Sequence, residues 1–88
     1  MATQTWNRIQ MRHNAKLNQQ NCVCSLVFST RGWSFEKLTK WTSFYICISN
    51  TNSDICIDRE LDPFTFETVY HVFFSNELTR TAFILKWL

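Results

Sequence analysis

One glycine, Gly32, and one proline, Pro63, punctuate a chain of 88 residues. With so little backbone freedom, its turns must be built mainly from Asn, Asp, Ser and Thr. The scarcity also removes whole classes of chemistry. There is no glycine loop to cradle phosphates, so nucleotide hydrolysis by the P-loop route is out. A calcium loop lacks its turn glycine, and there is no strained nucleophile elbow or Gly-rich oxyanion turn. Collagen-like, linker-like and low-complexity readings are excluded as well. What remains is a folding chain: 45% of residues are hydrophobic and 18% charged, too apolar for intrinsic disorder. The length allows one domain with one small core.

The expected fold is α+β. Residues 22–28 form an apolar run rich in β-formers, bounded by Asn21 and Ser29, which predicts a strand. Arg31-Gly32 marks a turn, after which Ser34 caps a short helix with Phe35, Leu38, Trp41 and Thr42 on one face. A β-hairpin is expected over 44–49 and 54–58, joined by Asn50-Thr51-Asn52-Ser53. Its register would set Phe44, Ile46, Ile48, Ile55 and Ile57 on one face. Asp62-Pro63 reads as a helix opening, with Asp at the N-cap and Pro at the first helical position. Behind it Phe66, Val69, Tyr70, Phe73 and Phe74 fall on a helical stripe, so a C-terminal helical segment is expected over 63–87. The same residues also alternate, which is the competing strand reading. Residues 1–20 read as a polar basic arm or weak helix, and residues 21–88 as the single small domain.

Net charge is +2, but unevenly spread. Residues 1–53 carry six Lys or Arg against one acid, and residues 54–88 carry three against six acids. Mutual attraction of the two halves is the plain expectation. The alternative is a nucleic-acid-binding surface of Trp6, Arg8, Arg12, Lys16, Arg31, Lys37 and Lys40, with aromatic rings for bases and cations for phosphates. Residues 1–20 hold no apolar core of a secretory signal, and no transmembrane stretch is present, so an intracellular location is expected. The acid-free, basic residues 1–35 also have the outline of a mitochondrial or other organelle targeting peptide.

The four cysteines are Cys22, Cys24, Cys47 and Cys56. The hairpin register would make Cys47 and Cys56 cross-strand neighbours within reach of a disulfide. With Cys22 and Cys24 they would form a four-cysteine zinc site; buried inert thiols are the ordinary reading. Zinc enters only with that alternative, and no other cofactor is expected. His13 and His71 stand alone in sequence, and nothing in the sequence supports a Cys56–His71 pair. Asp58, Glu60 and Asp62 read as a solvated turn.

Fourteen aromatic residues exceed what a small core readily hides. Trp33, Trp41, Phe83, Ile84 and Trp87 are therefore expected to be surplus and to dock a partner protein or a second copy. The leading expectation is a small non-enzymatic interaction or accessory protein. A basic nucleic-acid-binding protein comes second and a zinc-stabilised module with four cysteine ligands third. The bias toward Phe, Asn and Ile also fits an orphan open reading frame.

Overall fold

The computed structural model describes residues 2–49 and 54–88. Six elements follow one another: α1 (Ala2–Leu17), β1 (Cys24–Ser29), α2 (Phe35–Ser49), β2 (Ile55–Leu61), β3 (Thr68–Phe74) and α3 (Glu77–Trp87). The strands make an antiparallel sheet in the order β1-β3-β2. The chain is a small compact α+β domain, as its sequence pattern implies. The strand expected at 22–28 is β1. Ser34 caps α2, its Oγ accepting from the Lys37 N–H at 3.2 Å.

The hairpin of 44–49 with 54–58 does not form. Phe44–Ser49 is the second half of α2, and the partner of β2 is β3, with Ile57 opposite Val72 and Asp58 opposite His71. The intended turn, residues 50–53, lies outside the described residues. A short apolar run satisfies both periods. Here the helical one wins because Trp41, Phe44, Tyr45 and Ile48 continue, at helical spacing, the helix capped by Ser34, and Trp41 is fully buried.

The helix expected over 63–87 is likewise corrected. Its first half is β3, and only Glu77–Trp87 is helical. β3 is the central strand and is covered on both sides, so most of its positions are apolar and the helical and strand spacings fit it alike. The Asp62-Pro63 signal acts, but briefly. Asp62 Oδ2 accepts from the Thr65 N–H, and the Phe66 N–H bonds back to the Asp62 carbonyl at 2.9 Å. That is a single helical turn, which then closes the β2–β3 connection. The working N-cap of α3 is Asn76, whose Oδ1 accepts from the N–H and hydroxyl of Thr79.

Alternation along β3 splits the molecule. Tyr70, Val72 and Phe74 point to α2 and α3, where they join Phe28, Trp41, Phe83 and Trp87 in one buried cluster. Trp41 sits at its centre, edge-on to Phe28, Tyr70, Phe83 and Trp87 at centroid distances of 5.0–5.6 Å. Such T-shaped contacts set ring edges against ring faces, the favoured aromatic geometry. His71 and Phe73 point the other way, toward α1.

Candidate functional site

The face under α1 sets an ionic and imidazole network beside the buried Ile9, Val69 and Phe73, where the other face is built mainly of rings. Arg8 bonds both carboxylate oxygens of Asp62 (3.0 and 3.1 Å), Arg12 bonds Glu60 and Asp62 (both 3.0 Å), and Lys16 bonds Asp58 (2.7 Å). The register follows from element geometry. Four residues advance a helix by about 6 Å and two advance a strand by about 6.6 Å, so cations at every fourth residue meet acids at every second one. The pairing runs antiparallel. Asp62 is buried, which opposes its ionisation, but bonds from Thr65, Arg8 and Arg12 outweigh burial and hold it well below the ordinary carboxylate range. Burial likewise opposes ionisation of Glu60, and bonds from His71 and Arg12 again lower its pKa.

Between the ladder and β1 lies a chain of four side chains. His13 Nδ1 is 2.9 Å from His71 Nδ1, His13 Nε2 is 2.9 Å from Ser25 Oγ, and His71 Nε2 is 2.8 Å from Glu60 Oε1. Both imidazoles are buried and nearly coplanar, 12° apart. The chemistry of the ends dictates the direction. Ionised Glu60 only accepts, so His71 Nε2 carries the hydrogen. With both rings neutral, His71 Nδ1 then accepts from His13 Nδ1–H, and His13 Nε2 accepts from the Ser25 hydroxyl. Every donor points from Ser25 toward Glu60. One further proton fits on His13 Nε2. A second would set two N–H groups head to head across 2.9 Å, so the pair has room for one. Burial first, and the neighbouring His71 second, push the His13 pKa down.

Ser25 is half-buried and opens on a surface groove of about 390 Å³ that is also walled by Trp6, Gln10, Asn14, Val27 and Arg80. Arg80 donates from Nε to the Ser25 carbonyl at 2.9 Å. Among the described residues no carboxylate forms an ion pair with Arg80.

The residues singled out by sequence are distributed differently from their expected roles. Trp41, Phe83 and Trp87 are buried in the core, Trp33 packs against it, and Ile84 is half-buried. Trp33, Trp41, Phe83 and Trp87 are brought together, but as the hydrophobic core and its margin rather than as a surface. The cations Arg8, Arg12 and Lys16 are engaged by acids of β2 and the turn after it. Arg31 pairs with Glu67, Lys40 with Glu36, and Lys37 lies over the Trp33 ring. Trp6 stands beside the Ser25 groove, 41% exposed. All four cysteines are free thiols. Cys47 lies on α2 and Cys56 on β2, both exposed, so the cross-strand neighbourhood that a disulfide needed is not there. Cys22 and Cys24 are half-buried at the start of β1, and burial raises the Cys24 thiol pKa. Among the described residues no three His, Cys, Asp or Glu side chains are grouped as a metal site.

Sequence reasoning passed over the histidine relay and the apolar residues exposed at the β2–β3 turn. A signal was present for the ion pairs beside it and for the inward side of α1, though not for the His13–His71 contact itself. His13 falls on the stripe Trp6, Ile9, His13, Leu17, and cations spaced by four precede acids spaced by two. At the turn, Phe64 and Phe66 are 70% and 74% exposed, and Phe66 has φ 60°. The Arg8 guanidinium lies 4.2 Å from the Phe64 ring centroid.

No helix among the described residues is long and apolar enough to cross a membrane. Compared with protein-family models, curated proteins and solved structures, the chain matches none.

Proposed function

We propose that the protein is an interaction module that docks on a partner protein through the β2–β3 turn, with Phe64 and Phe66 as anchors. The observation that carries this reading is Phe66. Its backbone lies in the left-handed region, which glycine or asparagine occupies with least strain and a bulky residue avoids. Its ring is exposed and contributes little to the core. A strained backbone that displays an apolar ring fits recognition better than stability. The turn is held from below by Asp62, which accepts from Thr65 and is clamped by Arg8 and Arg12, so the rings stand on a rigid base. Rigid aromatic anchors of this kind lose little entropy on binding. The cations of α1 are already paired with acids, which leaves the nucleic-acid reading with less support.

The test separates strain from binding. Phe66→Gly relieves the backbone and is expected to hold or raise the melting temperature, by up to about 1 kcal/mol of stability. It is expected to abolish retention of a partner that the parent chain captures and then binds as a purified pair. Equal affinity of the parent and Phe66→Gly chains for that partner would reject the tip as the docking site. Self-association lost in Phe66→Gly would identify the partner as a second copy.

A further inference from the structure

We infer that Ser25 is a nucleophile for acyl transfer that accepts acyl groups from activated carboxylic esters. This goes beyond the docking reading and rests on different residues. Four features converge at one place. The Ser25 hydroxyl donates to His13 Nε2 over 2.9 Å, the geometry of a nucleophile beside its base. His13 is held in the tautomer that leaves Nε2 free to accept, because its Nδ1–H is used by His71 and the His71 Nε2–H by Glu60. This is the logic of a Ser-His-acid triad with a second imidazole inserted between base and carboxylate. The hydroxyl lies on the wall of an open groove. A guanidinium, Arg80, lines the same groove and is tied to the Ser25 carbonyl, so positive charge is at hand for a developing oxyanion.

The step balances with the groups present. Ser25 Oγ attacks the ester carbonyl carbon and forms a new C–O bond, while its proton passes to His13 Nε2. The C–O bond to the leaving alcohol breaks, and His13 returns the proton to that alcohol oxygen. Water then repeats the cycle on the acyl-serine, releasing the carboxylic acid. His71 and Glu60 act as positioning residues. The groove's Trp6, Leu17 and Val27 supply an apolar wall, so the substrate class is an ester with a short acyl chain and an apolar or aromatic leaving group.

The experiment uses the full chain and p-nitrophenyl acetate. The expected result is a stoichiometric burst of p-nitrophenolate, with one acetyl group mapped to Ser25 by peptide mass analysis. Its rate should rise with pH along a single titration as His13 loses its proton. His13→Gln should slow Ser25 acetylation by about 10²–10⁴-fold, the usual worth of a positioned base. Ser25→Ala should remove the burst while keeping a cooperative melt. Acetyl groups confined to lysines, cysteines or the N-terminus of the parent chain would overturn the proposal, as would an undiminished burst from folded Ser25→Ala. If Ser25→Ala does not fold, the map of the parent chain decides, since acetyl-Ser25 is either found or not.

Discussion

The two faces of the sheet share one central strand and are built on opposite principles. Toward α2 and α3, β3 turns Tyr70, Val72 and Phe74 into a cluster of interlocking rings. Toward α1 it turns His71 and Phe73, and His71 is met by imidazole and carboxylate rather than hydrocarbon. The aromatic face gains from area removed from water and from ring geometry, and among the described residues it carries no group that titrates near neutral pH. The ionic face gains from matched partners, and each partner left alone becomes a cost. Stability should therefore reside mainly on one face, and sensitivity to solution conditions on the other.

The contrast is broken most severely by Trp41→Ala. Removing a fully buried indole that meets five rings edge-on is expected to cost about 3–5 kcal/mol, read as a fall in the denaturation midpoint. A cost below about 1 kcal/mol would mean that the aromatic face is not the core. Acidification probes the other face. Folded His13 titrates below the ordinary histidine value of 6.5, so the unfolded chain binds that proton more readily. Stability is then complete above 6.5 and falls as pH drops through that value toward the folded one. Glu60, also depressed, adds a further loss below its ordinary 4.5. Hydrogen exchange should show α1 amides losing protection before those of α3. Uniform loss, or none between pH 7 and 5, would overturn the assignment. Lys16→Met is the gentlest test. Its ion pair with Asp58 is partly open to water, so the expected cost is about 0.2–1 kcal/mol and should vanish in high salt.

Legibility followed the same division. The mixed fold class, β1 and the Ser34 cap were readable because each rests on local chemistry that nothing overrides. The attraction between the basic and acidic halves was readable as a balance of charges, and the structure realises it in Arg8, Arg12 and Lys16. Strand pairing was not readable for β2, because Cys47 and Ile48 satisfy strand and helix periods alike and the contest is settled by Trp41 and its distant partners. The Asp62 signal was real, but it drives one turn instead of a helix. The surplus of rings was overestimated at Trp41, Phe83 and Trp87, since four of the cluster's rings pack edge-on around one indole and a small core holds more aromatics than area alone suggests. The relay joins residues 58 positions apart, and no local pattern reports a contact of that range.

The strand order has a consequence for how the chain is made. β1 and β2 do not touch; each is joined to the sheet only through β3, the last strand to be synthesised. Until residues 68–74 leave the ribosome, neither earlier strand has a neighbour to satisfy its backbone. The short turn lets β2 and β3 zip locally within microseconds, whereas β1 must then find its register across a long intervening segment at an entropic cost that grows with loop length. The nascent chain thus waits for its centre to arrive last, holding two unpaired edges that invite association with other chains in the interval.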